Sequence, residues 1–243
     1  MSPSRHHSFQ TTRWSLIRGI QQGADSALAQ QSLSEICHRY WFPIYAFLRR
    51  GGDSPEDAED LTQSFFAHLL RLELLDRARA ERGRLRSFLL ACLKHFRDNQ
   101  WRRETSQRRG GDARPVSFEI LGAEERLRVE QGHAEGGDPE ERFDREWAHS
   151  VLRQVLESLR AEASTPEEQS RLEALLPALS GTPDRTALSQ QTGLNENALK
   201  VAIHRLRRRY AQILRRVVAD SVSDPSEVDS ELAHLFACLR RVG

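Results

Sequence analysis

The chain has 243 residues, of which 38% are hydrophobic and 29% charged, and its 36 basic and 35 acidic residues nearly cancel to a formal net charge of +1. At roughly 100 to 200 residues per domain this is room for one large domain or two small ones, and the composition excludes a wholly disordered chain. Cys37, Cys92 and Cys238 lie far apart without a C-x-x-C pair, which excludes a disulfide framework or a zinc module of conventional spacing; they are expected as buried thiols in a reducing compartment.

Residues 1–24 carry Arg5, His6, His7 and Arg13 ahead of no apolar run, and the longest apolar run, Phe88 to Leu93, is far shorter than a membrane span. A cytoplasmic protein with no membrane contact is expected. The first helical unit is expected over residues 25–107. Its segment Arg39-Tyr40-Trp41-Phe42-Pro43-Ile44-Tyr45 is most simply core. Ser54-Pro55-Glu56-Asp57 has the form of a helix start, a capping side chain followed by proline and acids. In the helix that follows, Ala58, Leu61, Phe65, Phe66 and Leu69 form an apolar stripe, while Glu56, Asp60 and Gln63 align on another face. Five acids and no base fall between Asp53 and Asp60. That acidic face is either a docking surface or a solvated helix start whose acids favour the dipole.

The next helix is expected from Gly83 to Arg103, with Leu85, Phe88, Leu89, Cys92 and Phe96 inward. Lys94, Arg97 and Trp101 then share one exposed side, and His95, Asn99, Arg102 and Arg103 another. Between Arg82 and Arg109 the net charge is +7. Basic groups interleaved with an aromatic suit single-stranded DNA, where arginines follow phosphate and a ring stacks on a base; Trp101 is equally accounted for as core. Residues 108–137, with six glycines and one proline, read as a linker. The stretch from Ser117 to Glu146 has a net charge of -6.

A second unit is expected over residues 138–218. Asp138-Pro139, Thr165-Pro166 and Thr182-Pro183 repeat the helix-start pattern. Thr182 is expected to cap a short helix through Gln191, Gly193 to supply a turn, and Asn195 to cap a second helix from Glu196 to about Arg216, a helix-turn-helix pattern. Leu199, Ile203, Leu206, Tyr210 and Ile213 would pack inward against Ala187 and Leu188. Another face offers Asn197, Lys200, His204 and Arg208, flanked by Arg205, Arg207 and Arg209. Asn and Lys side chains read base edges in the major groove, and arginines do that or neutralise phosphate. The same geometry also occurs as plain packing. The acidic extension 219–243, opened by Asp224-Pro225, is expected to form one more helix with Val228, Leu232, Leu235, Phe236 and Leu239 inward, folded back on the recognition helix or on the first unit.

No alternating strand or hairpin turn is found, so the chain is expected to be all-α, two small helical domains joined by an acidic flexible linker. There is no phosphate-binding glycine loop, H-E-x-x-H, G-x-S-x-G or metal-spaced cluster, so no enzyme, cofactor or metal is expected.

The residues resemble the sigma-70 family of RNA polymerase sigma factors, and within it the short extracytoplasmic-function (ECF) type. Asp57-Ala58-Glu59-Asp60-Leu61-Thr62-Gln63-Ser64-Phe65-Phe66 is similar to the polymerase-binding signature of sigma region 2. Arg86-Ser87-Phe88-Leu89-Leu90 through Asn99-Gln100-Trp101-Arg102-Arg103 is similar to the helix that melts and reads the minus-10 element, and the helix-turn-helix resembles region 4, which reads the minus-35 element. The resemblance covers about residues 25–107 and 145–216. It implies that Asp57, Asp60, Gln63 and Phe66 contact the beta-prime clamp helices of core RNA polymerase, with the beta flap as a further contact. It places Lys94, His95, Asn99, Trp101, Arg102 and Arg103 toward minus-10 DNA, and Asn197, Lys200, His204, Arg205 and Arg208 toward minus-35 DNA. An anti-sigma factor is a further partner it admits. His95 and Asn99 stand where the family often has Asn and Asp, so no minus-10 base preference carries over. The rival reading of the same residues is a stand-alone helix-turn-helix regulator that binds a palindromic operator without polymerase.

Overall fold

The computed structural model describes residues 26–71, 84–106, 118–131, 138–181 and 184–240. The protein is all-α. Its helices are α1 (Ser26–Arg50), α2 (Pro55–Arg71), α3 (Leu85–Ser106), α4 (Phe118–Gln131), α5 (Pro139–Glu162), α6 (Pro166–Leu175), α7 (Arg185–Thr192), α8 (Glu196–Ala219) and α9 (Val228–Arg240), with short 3-10 turns at Leu176–Leu179 and Pro225–Glu227. Among the described residues there is no strand beyond an isolated bridge between Arg84 and Val222, and no helix is long and apolar enough to cross a membrane.

The chain divides into two compact units, one of residues up to Ser150 together with those from Ala219 onward, the other Val151–Val218. The boundaries therefore fall inside α5 and α8 rather than in the glycine-rich segment. Residues 138–150, expected in the second unit, belong to the first, and so does the C-terminal extension, for which the recognition helix and the first unit were the two expected resting places. The physical reason is the length of the apolar stripe on α5: Phe143, Trp147 and Ala148 are buried in the first unit, and Val151, Val155 and Leu159 in the second.

In the first unit α1 packs along α2. Its core holds Tyr40, Phe42, Ile44, Tyr45 and Leu48 of α1, Ala58, Phe65 and Leu69 of α2, and Leu85, Leu89 and Leu93 of α3. Pro43 lies inside α1, where it cannot donate to the carbonyl one turn earlier. Ser54 starts α2 as expected: its hydroxyl accepts from the Asp57 amide at 3.1 Å and donates to the Asp57 carboxylate at 2.8 Å. Thr62, on the buried face, donates its hydroxyl to the Ala58 carbonyl at 2.6 Å.

Within the expected linker, residues 118–131 form helix α4, which packs on α1 and α2 through buried Ala123 and Leu127. Polar contacts fasten it. Glu124 accepts from the Tyr45 hydroxyl at 2.7 Å and from Arg49 at 2.7 and 3.0 Å, and Arg126 lies over the Phe42 ring, 3.3 Å from its centroid. The Arg49 hydrogen bond is the main reason the Glu124 carboxyl is held below the ordinary carboxylate range.

The C-terminal segment completes this unit. The Leu85 amide donates to the Ser221 carbonyl at 3.0 Å. Helix α9 turns Val228, Glu231, Leu235 and Cys238 inward, while Phe236 is 46% exposed and Leu232 and Leu239 lie between. The buried stripe is thus rotated by about one position from the expected one, because the groove it fills is lined by arginines. Glu231 is fully buried and accepts from Arg86 Nε at 2.8 Å; Arg84 Nε lies 2.9 Å from its other oxygen, an ion contact outside hydrogen-bond alignment. Arg86 Nη1 also donates to both oxygens of Asp144 on α5, at 2.7 and 2.8 Å, and its guanidinium lies over the Trp147 ring. Burial, the largest single influence on Arg86, favours its neutral form, yet Glu231 and Asp144 together outweigh it and leave the guanidinium above its ordinary pKa.

In the second unit α6 packs on α7, and Leu175, Ala178, Leu188, Leu199, Ile203 and Leu206 are buried. Thr165 and Glu168 form a capping box at the start of α6, each side chain accepting from the other's amide at 3.2 Å.

Candidate nucleic-acid interface

The helix-turn-helix is built by local chemistry. Thr182, expected as the first cap, lies outside the described residues; the cap of α7 is Asp184, whose carboxylate accepts from the Thr186 and Ala187 amides at 2.9 and 3.3 Å. Gly193 closes α7 with φ +68°, a left-handed conformation that costs a side-chain-bearing residue strain, and its amide donates to the Ser189 carbonyl at 2.9 Å. The Ser189 hydroxyl donates across the turn to the Leu194 carbonyl at 2.6 Å. Asn195 then caps α8, accepting from the Ala198 amide at 2.9 Å.

On α8, Leu199, Ile203, Leu206 and Ile213 face inward as the spacing requires, with Tyr210 half-buried. The opposite face exposes Asn197, Lys200, His204, Arg205 and Arg208, together with Val201 at 48% exposure. These positions recur at intervals of three and four residues, so they share one stripe. Lys200 donates to Glu196 at 2.7 Å, and that contact holds the Glu196 carboxyl below its ordinary range.

The flanking arginines divide into two kinds. Arg207 donates to the Ala178 carbonyl at 3.0 and 2.7 Å and to the Gly181 carbonyl at 3.2 Å, closing the 3-10 turn that follows α6. Arg209 grips Glu162 at the end of α5, with Nε at 2.8 Å. Arg205 and Arg208 make no ion pair among the described residues. The arginines with a structural task point away from the stripe.

In the first unit, His95 and Asn99 of α3 are exposed. Lys94 is bonded to Glu140 at the start of α5, which partly neutralises it. Arg97 donates to the Gly51 carbonyl at 2.6 Å and lies 3.4 Å from the Asp53 carboxylate, so it braces the turn between α1 and α2. Burial raises the Asp53 carboxyl above its ordinary range, against the pull of Arg97. Trp101, Arg102 and Arg103 lie on the helical backbone of α3, with side chains outside the described residues.

On α2, Asp57, Asp60 and Gln63 are exposed along one side. Phe66 is not: it is 7% exposed and packs beside Phe65, ring centroids 5.7 Å apart. This corrects the expectation that Phe66 offers its ring to a partner. Two consecutive phenylalanines on a broad apolar stripe both fall within the buried arc, so the accessible set on this face is Asp57, Asp60 and Gln63.

Sequence reasoning missed the ionic cluster of Arg84, Arg86, Asp144, Glu231, His234 and Cys238. Its members come from Arg84 just before α3 and from α3, α5 and α9, and only the placement of Glu231 and Cys238 one heptad apart on an amphipathic helix hints at a shared face. No family model matches the chain, and no match was found to a curated protein or to a solved structure.

Proposed function

We propose that the chain is a transcription initiation factor of the sigma-70 type, in the ECF class, that binds core RNA polymerase, reads promoter minus-10 and minus-35 elements and promotes melting. The observation that carries this reading is the exposed stripe of Asn197, Lys200, Val201, His204, Arg205 and Arg208 on the second helix of a capped helix-turn-helix. That stripe has the length and chemistry of a major-groove reader, with amide and ammonium donors for base edges and guanidinium groups for phosphate. The exposed Asp57, Asp60 and Gln63 on α2 would, on the resemblance of their stretch to sigma region 2, face the polymerase clamp. Exposed His95 and Asn99 on α3 suit the melted minus-10 strand. Catalysis on this reading belongs to the polymerase, and this subunit contributes promoter choice.

The test is reconstitution with core polymerase and in vitro transcription on a promoter library. Holoenzyme assembly that weakens in Asp60→Ala and Gln63→Ala, with selective initiation, is the expected result. Tight binding to a palindromic operator without polymerase, and no assembly with core, would establish the rival stand-alone regulator instead.

A further inference from the structure

The geometry points to a transition-metal site of the zinc class formed by Asp144 of α5 and His234 and Cys238 of α9. His234 and Cys238 are four residues apart, so they share one face of α9, and that face meets Asp144 from a helix 90 positions earlier. A carboxylate oxygen, an imidazole nitrogen and a thiol sulfur come within 4.8 Å of one another. His234 Nε2 lies 2.9 Å from Asp144 Oδ2 and 3.2 Å from Cys238 Sγ.

A single ring nitrogen offers one hydrogen or one lone pair and cannot serve both neighbours fully. A cation at the centre is bound by all three. Tetrahedral zinc, with bonds of about 2.0 to 2.3 Å, holds its ligand atoms roughly 3.3 to 3.8 Å apart, so small side-chain adjustments admit it. One sulfur, one nitrogen and one oxygen select zinc or its neighbours over magnesium and calcium, which favour oxygen donors throughout.

The surroundings fit as well. A small cavity is lined by these three residues together with Glu141, Arg145 and Ala237. A water would complete the coordination, with Glu141, one turn before Asp144 on α5, also lining the cavity. Arg86 reaches both Asp144 oxygens through one nitrogen, Nη1, and each oxygen keeps a second lone-pair direction for the ion. A ligating carboxylate oriented by an outer hydrogen-bond donor is the usual arrangement around such metals. Charge is favourable too. Glu141, Asp144, Glu231 and a Cys238 thiolate oppose Arg84, Arg86 and Arg145, which leaves one net negative charge for a divalent cation. Binding releases the Cys238 proton to solvent, so affinity rises with pH. The ion fastens the C-terminal helix to α5 within the first unit.

The test uses the full-length chain, stripped with chelator and titrated with zinc or cobalt. One equivalent is expected to bind, with a thiolate-to-cobalt absorption band in the near ultraviolet and, by X-ray absorption on the zinc form, a shell containing one sulfur and otherwise nitrogen and oxygen. Cys37→Ser with Cys92→Ser retains the sulfur; Cys238→Ser loses it and binds at least tenfold more weakly. The wild-type spectrum decides the matter even if Cys238→Ser does not fold. No stoichiometric uptake, a wild-type shell without sulfur, or a sulfur that survives Cys238→Ser overturns the assignment.

Discussion

Arg86 and Glu231 stand 145 positions apart in the chain and 2.8 Å apart in the fold, with Glu231 fully shielded from solvent. A buried charge without its partner is far costlier than a buried pair or no charge at all. The C-terminal helix is therefore part of the first unit's core chemistry, whatever further role it has.

Glu231→Ala leaves Arg86 with Asp144 alone and Arg84 unpaired on that side, and should cost about 3 to 5 kcal/mol of stability. Arg86→Met with Glu231→Leu removes both charges and should cost much less than the two single changes summed. Chemical denaturation of the four proteins of this cycle measures both. Additive losses would mean that the two groups do not interact in solution.

The turn of the helix-turn-helix depends on Gly193. A Cβ there would meet no atom within 4 Å, so the cost of Gly193→Ala is conformational alone, about 1 kcal/mol from φ +68°. Gly193→Asn should cost less, since asparagine tolerates this region better. Asn195→Ala removes the cap of α8 and should cost about 1 kcal/mol. Thermal denaturation of the full chain, followed by a probe in the second unit, would rank the three.

The arginines of α8 should separate by task. Arg208→Gln removes an exposed charge; it should leave the melting temperature unchanged, weaken promoter binding and lower the salt slope of log affinity by about one. Arg207→Gln breaks the contacts to Ala178 and Gly181, so it should destabilise the second unit first. Binding isotherms at several salt concentrations, beside melting curves, distinguish the two. Equal salt slopes for Arg208→Gln and the wild type would remove Arg208 from the phosphate-contacting set.

What was legible in the sequence is what local physics encodes. Proline-led caps at Ser54, Asp138, Thr165 and Asp224 mark element starts, and the spacing of Leu199, Ile203, Leu206 and Ile213 sets the inward face of α8. From that face the exposed stripe of Asn197, Lys200, His204, Arg205 and Arg208 follows by elimination. Helix α4 was not legible because, among its described side chains, Ala123 and Leu127 alone are buried, and an ionic contact to a distant arginine fastens it. Phe66 was placed on the inward stripe by its spacing and toward a partner by the resemblance alone, and its burial agrees with the spacing. Glu231 and Cys238 were passed over for Phe236 because a polar residue turned inward is specified by its partners on α3 and α5, which periodicity cannot see.

Glu124 gives α4 an acid-sensitive attachment. Its carboxyl is held below the ordinary value of 4.5, chiefly by the hydrogen bond from Arg49 and next by that from the Tyr45 hydroxyl, against the opposing effect of burial. A carboxyl whose folded pKa lies below its unfolded one contributes stability that is fully present above the unfolded value and lost as pH falls through the folded value. The sensitive window therefore lies below about pH 4.5. Glu124→Gln keeps an oxygen that accepts from Tyr45 and Arg49 but removes the titrating charge. The wild type should then be more stable than the variant near neutrality, and the difference should shrink through that acid window. Because the side chain is about one-fifth exposed, solvent screening keeps the difference modest, and added salt should reduce it further. Denaturant titrations of both proteins at neutral pH and at two or three acid values measure it. A gap that stays constant with pH would mean that the Arg49 contact does not hold α4 through charge.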